Sequence, residues 1–420
     1  MIYSIQNKII DTILFFLMII STGGMYFVLN RNIMSICFFS LLVFTIIFFG
    51  NQIKKKIFYA SVLTFLCIFT LGTINFFFAI SDQSINKYGF HFLSLIIGVF
   101  FILHFQNNRN EKIFLDRFYL VLKIIALHAA VNFILYFFIQ NNLSDVISRD
   151  KDIYKTFFHI FYYMPEKSVV SIFNFEFCRN QGLFWEPGIL QIYLNMLFFL
   201  EAFVFKKSKL LLLLASVLII TTYSTTGLIL LLFQSFFYFK SSFKNKKVLA
   251  PILIILLIPI YLVLSTNVKE KISGEREASF QKRMFDFTQP FFIAKDYPLT
   301  GIGLDLVQFQ KKRQEFYISS NRLQSINSSL GVQAKFETTE KGSSNSIMFL
   351  LACTGFPTTI ILLFMFYKQK IIRPKKYIWS ILLTLSVLSE PLLLRPFFLI
   401  FIISGFVNIF TKINNQKVIL

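Results

Sequence analysis

Apolar runs about as long as a membrane is thick recur along this chain, and they limit its fold more than any other feature. A helix needs about 20 mainly apolar residues to cross roughly 30 Å of hydrocarbon, and most of these runs come close to that length. Hydrophobic residues make up 55% of the 420 positions. A single water-soluble core could not bury so much apolar surface, because such cores stop growing near about 250 to 300 residues. We therefore predict an all-α, polytopic membrane protein.

The positions of these runs predict twelve transmembrane helices and two long insertions. The expected organisation is five N-terminal helices (1–139), a first extracytoplasmic loop (140–187), helices six to nine (188–265), a large extracytoplasmic loop (266–343) and three C-terminal helices (344–420). Gly355 and Pro357 predict a kink in the tenth helix. The spans are expected near 9–30, 33–50, 57–80, 89–106, 117–139, 188–205, 210–222, 227–239, 249–265, 345–367 and 377–410, the last divided in two at Ser389-Glu-Pro391.

The positive charge of the chain predicts its orientation. Lys and Arg number 42 against 21 Asp and Glu, a net charge of +21. The lysines gather in short segments between apolar runs, such as Lys54–Lys56, Lys206–Lys209 and Lys368–Lys376. Because cytoplasmic loops carry such an excess, both termini are expected in the cytoplasm and both long insertions outside. This explains the charge without a nucleic-acid partner. The long first apolar run lacks a small-residue cleavage site, so no cleavable signal peptide is expected.

Neither a metal site nor a cofactor is expected. The four cysteines have no CxxC spacing, so neither a zinc site nor a disulfide framework is implied, and the four histidines are scattered. No Walker-type GxxxxGK[ST] sequence occurs. The string Asp150-Lys-Asp152 matches a DxD pair by letter, which chance explains in a charged loop.

One polar stretch between two apolar runs combines turn-forming and charged residues, Arg179-Asn-Gln-Gly-Leu-Phe-Trp-Glu-Pro-Gly188. Gly182 and Pro187 favour a bent backbone, and Pro187 can begin the next helix because its missing N–H would have had no partner there. Glu186 then precedes a helix start, where the dipole stabilises an anion. Two interpretations stay open: a functional site, or a helix cap at Glu186 beside a solvated loop charge at Arg179.

Four motifs, together with the two outward loops, resemble the bacterial O-antigen polymerase and O-antigen ligase superfamily. Arg179–Gly188 is similar to its R-x-x-G-x-F-x-E-P-G segment, and Thr221–Gly227 to the hydroxyl-rich turn that follows. Arg283 and the later Tyr297-Pro-Leu-Thr-Gly-Ile-Gly303 resemble the arginine and the P-L-x-G-x-G turn of the large loop. Ser344-Asn345 resembles the H-N pair that opens the next helix, except that serine replaces histidine. Outside the part of the chain that holds these four motifs, only the order of spans and loops is similar to that of the superfamily.

The resemblance implies a GT-C-like architecture and a polysaccharide enzyme of the bacterial inner membrane. Ligases of the superfamily carry a catalytic histidine where Ser344 stands, so the serine favours a polymerase of O antigen, capsule or exopolysaccharide. Such a polymerase moves a growing glycan from polyprenyl diphosphate to the terminal sugar of a new lipid-linked repeat unit, on the outer side of the membrane. The implied partners are the polyprenyl-diphosphate-linked oligosaccharide, membrane lipid and a chain-length regulator protein.

This reaction suggests roles for four residues. The leaving diphosphate needs cations, and Arg179 and Arg283 are candidates because an arginine fork is bidentate and stays charged. The acceptor hydroxyl needs a general base, for which Glu186 is the first choice. Asn345 is a candidate for substrate binding. The glycosyl diphosphate already stores the bond energy, so neither ATP nor a nucleotide sugar is required.

Simpler interpretations stand beside these roles. Arg283 next to Lys282 could be an ordinary exposed charge, Asn345 an N-cap, and Lys311-Lys-Arg313 a solvated face. An O-antigen ligase is an alternative function. A lipid-linked oligosaccharide flippase is another, although a flippase needs no long outer loops. The aromatic segment 156–163 fits either the membrane interface or packing against the helices.

Overall fold

The computed structural model describes residues 5–49, 54–108, 111–148, 152–172, 175–242, 258, 260–269, 277–319 and 343–416. Helices form most of this structure, which confirms the predicted all-α class. Most of the predicted ninth span lies outside the described residues, as do Asp150 and residues 320–342 of the large loop.

The helices are named here in chain order. They are α1 (Ile5–Gly23), α2 (Met25–Leu29), α3 (Arg31–Phe49), α4 (Lys55–Phe78), α5 (Ile85–Asn108), α6 (Glu111–Ile139), α7 (Pro165–Ser168), α8 (Pro187–Phe199), α9 (Lys209–Thr221), α10 (Thr225–Ser242), α11 (Glu277–Asp296), α12 (Leu306–Ser319), α13 (Ser346–Tyr367), α14 (Lys376–Ser389) and α15 (Pro396–Gln416). A 3₁₀ turn (Gln140–Asn142) follows α6, and α8 continues as a π-helix (Leu200–Phe205). Residues 260–269 are helical as well.

Seven helices in the described part of the chain are long and apolar enough to cross a membrane. They coincide with the predicted spans one to six and ten. The shorter apolar helices α9 and α14, and the apolar part Pro396–Lys412 of α15, correspond to spans seven, eleven and twelve. Helix α10 occupies the predicted eighth span, but Gln234 interrupts its apolar run and it is not one of the seven. The chain is therefore a multi-pass membrane protein, and the number twelve stays a prediction.

The first predicted loop contains β-structure that the sequence analysis did not predict. Strands β1 (Ser144–Ile147), β2 (Ile153–Phe157) and β3 (Phe161–Tyr163) form an antiparallel sheet in that order. Strands β4 (Val169–Ile172) and β5 (Phe175–Cys178) pair with each other in a separate antiparallel ladder.

The aromatic residues of the three-stranded sheet explain how it is held. Along β2, Tyr154 and Thr156 are buried whereas their neighbours are more exposed, the two-residue period of a strand with one covered face. Tyr154 and Tyr162 cluster with Met25 of α2, and Tyr163 packs with Tyr136 of α6. Packing against the helices, one of the two interpretations for this segment, is therefore confirmed.

Two compact units make up the fold, and each is assembled from three stretches of chain. The first is Met1–Leu41, Lys112–Gly274 and Ile372–Ser386; the second is Leu42–Glu111, Glu275–Ile371 and Val387–Leu420. Two of the four candidate site residues belong to each unit.

Helix α8 is the buried centre of the first unit. All thirteen of its residues are buried, as expected for a helix that is apolar around most of its circumference. Its polar side chains pair with one another and with α10. The Asn195 amide donates to the Gln191 side-chain oxygen at 3.0 Å, and Gln234 donates to Asn195 at 2.9 Å. These bonds satisfy the side-chain oxygen of Gln191 and both polar atoms of the Asn195 side chain, which burial would otherwise penalise.

In the second unit, α13 breaks at Gly355, where φ is +74° and ψ is 177°. The predicted kink at Gly355 and Pro357 is therefore confirmed. The Phe356 N–H, freed by the break, donates to the Pro298 carbonyl at 2.8 Å. Apart from glycine, residues rarely adopt this backbone conformation.

The turn 298–303 fills the break in α13. The N–H groups of Ile302 and Gly303 donate to the carbonyls of Ala352 and Cys353, at 3.0 and 2.9 Å. These carbonyls would otherwise have lost their helical partners in a segment of membrane-spanning helix. The P-L-x-G-x-G motif of the resemblance thus replaces a missing helical turn.

The end of α4 and the turn between α4 and α5 hold this arrangement in place. The Asn75 amide donates to the carbonyls of Thr300 and Cys353, at 2.7 and 2.8 Å. The Gln83 amide donates to the Ile302 carbonyl at 2.9 Å. The α4–α5 turn and the large loop therefore lie at the same end of the second unit, as the predicted topology requires.

Replacing Gly355 with alanine tests the importance of this break. We expect Gly355→Ala to destabilise the protein by about 3 kcal/mol or more, because the backbone is strained for alanine and its Cβ would lie 2.5 Å from the Leu299 carbonyl. Thermal unfolding of the detergent-solubilised protein measures this. Gly72→Ala in α4 is the control, since no atom lies within 4 Å of its Cβ. Equal unfolding temperatures for the two variants would contradict the prediction.

Candidate functional site

The stretch Arg179–Gly188 is a buried turn followed by the start of α8. Gly182 has a φ of +53°, in the left-handed region that glycine adopts at little cost. Pro187 is the first residue of α8, as predicted. The Leu183 carbonyl accepts from the Met25 N–H at 2.8 Å, which holds the turn against the beginning of α2.

Asn180 organises this turn from within. Its side-chain oxygen accepts from the Gly182 N–H and the Asn132 amide, each at 3.2 Å. Its own amide donates to the Ala129 carbonyl at 2.9 Å and to the Thr221 hydroxyl at 3.3 Å. One buried amide therefore joins α6, the turn and the end of α9.

Arg179 is fixed beside the hydroxyl-rich turn that follows α9. Its Nε donates to the Thr222 carbonyl at 2.9 Å, and its N–H donates to the Ser168 carbonyl at 2.9 Å. The side chain is half-buried. Arg179 is therefore not a solvated loop charge, and its substrate-binding role stays a prediction.

Glu186 occupies the N-cap position of α8, but its carboxylate does not cap the helix. Its carbonyl accepts from the Ile189 N–H at 3.1 Å, and its half-buried side chain accepts from the Trp185 indole at 3.3 Å. The helix dipole stabilises a carboxylate at this position. Glu186 is therefore the N-cap residue of α8 through its backbone, as the cap interpretation expected. Its carboxylate can still accept a hydrogen bond from another donor.

The buried side chain of Asn267 also supports the hydroxyl-rich turn between α9 and α10. The Asn267 amide donates to the Tyr223 carbonyl at 2.9 Å, and its oxygen accepts from the Thr225 hydroxyl. Tyr223 has a φ of +48°, so this turn needs such support.

A buried ionic cluster lies at the start of α13 in the second unit. Asp286 of α11 is fully buried, and one of its oxygens lies 3.0 Å from the Arg313 guanidinium. Its other oxygen accepts from both the N–H and the hydroxyl of Ser344, at 2.8 and 2.7 Å. Arg313 also donates to the Gln289 side chain at 2.8 Å. The cluster therefore joins α11, α12 and the short segment before α13.

The solvated face predicted for Lys311-Lys-Arg313 is wrong at Arg313. This side chain is only 13% exposed, and its guanidinium lies 5.4 Å from the Phe309 ring centroid. Lys312 matches the expectation, since it forms an ion pair at 2.6 Å with the exposed Glu315. A run of charged residues does not show which of them faces a neighbouring helix. In this structure, Arg313 of α12 faces α11.

Arg283 lies one helical turn before Asp286 on α11. Its side chain is half-buried, and it makes no hydrogen bond or ion pair with any residue that the structure describes. It is therefore more enclosed than the exposed charge that its position beside Lys282 suggested. Whether it binds substrate stays a prediction.

Asn345 caps α13, which confirms the simpler interpretation of this residue. Its side-chain oxygen accepts from the Met348 N–H at 3.0 Å, and the residue is 6% exposed. Ser344, which stands where the resemblance places a histidine, is bound to Asp286. A substrate role for Asn345 stays a prediction.

Asp286 and Asn180 are the site residues that sequence reasoning missed. Asp286 and Gln289 are three positions apart and so share one face of α11, a spacing that helical periodicity makes visible. Asn180 precedes Gly182 by two positions, a pattern in which an Asn side chain caps its own turn. Both signals were present in the sequence.

The chemistry of the remaining candidate groups is limited. Burial raises the pKa of the Cys178 thiol to about 11, so this thiol stays protonated near neutral pH and is a poor nucleophile. In the described ranges, no three or more His, Cys, Asp or Glu side chains come together as a metal site would require.

The membrane spans and the polar segments between them define a polytopic, predominantly helical membrane protein. Residues 210–363 match the family described as O-antigen ligase, and this match supports the O-antigen ligase and polymerase superfamily. The match confirms the resemblance drawn from the four motifs. It also supports a polysaccharide-related membrane enzyme. No curated protein matches the chain.

Removing the Arg313 guanidinium tests the buried cluster. We expect Arg313→Ala to destabilise the protein by about 3 to 5 kcal/mol, because Asp286 would keep a buried charge without its partner. The measurement is thermal or denaturant unfolding in detergent. Lys312→Ala is the matched control, since its ion pair is at the surface and contributes about 1 kcal/mol or less. Comparable stability losses in both variants would refute the assignment.

Thiol labelling at different pH tests the environment of Cys178. In a protein without the other three native cysteines, we expect almost no maleimide labelling at pH 8, where a pKa near 11 leaves about one thiol in a thousand ionised. Labelling should rise with pH and on unfolding in detergent. A cysteine at exposed Glu176, with Cys178 replaced by alanine, is the control and should react readily. Equal labelling of both folded proteins at pH 8 would contradict the assignment.

Proposed function

We propose that this protein is a polysaccharide repeat-unit polymerase that uses a donor linked to polyprenyl diphosphate. The membrane spans and the superfamily domain support a lipid-linked glycan as substrate. Ser344, in place of the ligase histidine, favours polymerisation over ligation. The product would be O antigen, capsule or exopolysaccharide.

The observation that carries the proposal is the arrangement of charge on α11. Arg313 neutralises the buried Asp286, whereas Arg283, one turn away, has no partner among the described residues. A half-buried cation is stabilised when an anion pairs with it. A diphosphate offers oxygens in the geometry that a guanidinium binds best. Of the cations on α11 and α12, Arg283 is thus the one best placed to accept an anionic substrate.

In the proposed reaction, a sugar hydroxyl of the acceptor attacks the anomeric carbon of the donor glycan. The bond from that carbon to the diphosphate oxygen breaks, and polyprenyl diphosphate leaves. Glu186 would accept the hydroxyl proton as general base. One guanidinium, that of Arg283 or that of Arg179, would bind phosphate oxygens as negative charge develops on the leaving group.

Asn345 has a narrower role in this proposal. Its side-chain oxygen is used by the helix cap, so only its amide N–H groups could donate to a sugar oxygen. No nucleotide enters the reaction, because cleavage of the glycosyl diphosphate supplies the free energy.

The proposal places the reaction on the outer side of the bacterial inner membrane, with both termini in the cytoplasm. Its support is the lysine-rich short segments, which the positive-inside rule assigns to the cytoplasm. The proposed partners are the lipid-linked oligosaccharide, membrane lipid and a chain-length regulator protein.

Reconstitution with purified lipid-linked repeat units tests this function. We expect proteoliposomes without nucleotide to form polymer, and we expect Glu186→Gln, Arg179→Gln and Arg283→Gln each to lower the rate by at least about a hundredfold. Gel separation of the lipid-linked products gives the chain-length distribution. Transport of the substrate without any polymer would instead indicate a flippase.

Three control variants separate lost chemistry from lost folding. Glu176→Gln removes an exposed carboxylate of the same loop, and Lys312→Ala removes a surface cation of α12. Both should polymerise at the wild-type rate. Arg283→Lys should recover only part of the activity, because lysine keeps the charge but not the bidentate fork. Wild-type chain lengths in Glu186→Gln, Arg179→Gln and Arg283→Gln alike would overturn the assigned roles.

O-antigen ligation is the second candidate, and the description of the matched family favours it. A ligase would transfer finished glycan to a lipid A–core acceptor and would leave single repeat units unpolymerised. Adding this acceptor to the same proteoliposomes separates the two reactions.

A further inference from the structure

The tip of the β2–β3 hairpin makes an unexpected contact with the middle of a membrane-spanning helix. The Ile160 carbonyl lies 3.1 Å from the His128 Nε2, which must carry the proton that this contact requires. The His128 ring also stacks on the Phe161 ring, with centroids 5.1 Å apart. His128 belongs to α6, which together with the 3₁₀ turn after it forms a candidate membrane span of 31 residues, Lys112–Asn142.

The length of that span fixes the depth of the contact. At about 1.5 Å per residue, His128 lies about 24 Å from one end and about 21 Å from the other. The span is about 46 Å long, roughly 16 Å longer than the hydrocarbon layer. At most about 16 Å of the span can project beyond the hydrocarbon layer at either end. His128 is farther than this from both ends, so it lies within the hydrocarbon wherever the layer is placed along the span. The hairpin tip beside it therefore lies at hydrocarbon depth as well.

The tip carries the polar contacts that such a depth demands. Non-helical backbone is tolerated inside a membrane only when its polar groups are satisfied by the protein. The His159 carbonyl accepts from the hydroxyls of Tyr26 and Tyr162, at 2.7 and 2.6 Å, and the Ile160 carbonyl accepts from His128. The Ile160 N–H donates to the Phe157 carbonyl at 3.2 Å.

Two of the three outward side chains of the tip, those of Phe158 and Ile160, are apolar, and the third, that of His159, is exposed as well. Phe158 is 77% exposed and Ile160 is 48% exposed. Phe158 and His159 both have a φ near +55°, in a turn where Asn or Gly would fold with less strain. The nearest ion pair, Lys155 with Asp145, is three residues back along β2, or about 10 Å.

We propose that the β2–β3 hairpin is a re-entrant element whose tip, Phe158–Ile160, inserts into the bilayer and contacts the acyl chains of membrane lipid. The rest of the first loop, before and after the hairpin, would stay outside the membrane. The observations that support this are the depth of His128, the satisfied carbonyls and the exposed apolar side chains. The proposal does not depend on the enzymatic function.

Spin labelling in lipid nanodiscs tests the insertion. In a background with the four native cysteines replaced by alanine, a nitroxide is attached to Phe158→Cys. Its collision rates with oxygen, which partitions into hydrocarbon, and with a water-soluble nickel chelate are then measured. We expect the ratio of oxygen to nickel collisions to exceed that of an aqueous control by about tenfold or more, since hydrocarbon excludes the chelate.

Two further labelled positions set the scale. Leu127→Cys, on the exposed side of α6 next to His128, reports hydrocarbon; Glu176→Cys, on β5 of the same loop, reports water. A Phe158 ratio nearer to that of Leu127 supports insertion, and a ratio nearer to that of Glu176 overturns it. If Phe158→Cys does not give a folded protein by size-exclusion chromatography, Ile160→Cys provides the same comparison.

Discussion

Backbone groups that cannot reach water must find partners inside the protein, and this constraint shapes both units. Where α13 breaks, the turn 298–303 supplies the missing N–H donors, and Asn75 binds both segments. In the first unit, Asn180 supports the buried turn before α8 in the same way. Each departure from helix is therefore matched to a particular polar partner. The motifs that resemble the O-antigen enzymes coincide with these departures, so part of the resemblance reflects folding rather than catalysis.

The charged residues separate into two groups by the same criterion. Asp286 and Arg313 form an ion pair within the second unit, and Ser344 donates a hydrogen bond to the other oxygen of the Asp286 carboxylate. Arg283 has no such partner among the described residues. Within the same residues, the Glu186 carboxylate accepts one hydrogen bond, from the Trp185 indole. Asp286 and Arg313 use their charges within the fold, whereas Arg283 and Glu186 keep bonding capacity that the described residues do not use. This distinction is why the proposed chemistry rests on Arg283 and Glu186 rather than on the more deeply buried pair.

The sequence was most informative where one local signal decides the structure. Apolar runs located α4, α5 and α6 closely, because membrane insertion depends on length and hydropathy alone. Gly355 marked its kink, because few other residues tolerate that backbone conformation. The pairing of Asp286 with Arg313 was not found, since it depends on how α11 meets α12. Strand β2 was not predicted either, because its alternation covers only five residues of an aromatic segment that also suited the membrane interface.

The interlock between the large loop and α13 has a consequence for protein engineering and for evolution. The turn 298–303 and the broken helix together complete one hydrogen-bonding pattern, although they are distant in sequence. Exchanging the loop of one family member for that of another would separate the turn from the helix that it was selected to fit. Chimaeras should therefore carry both segments together, and the two are expected to covary when related chains diverge.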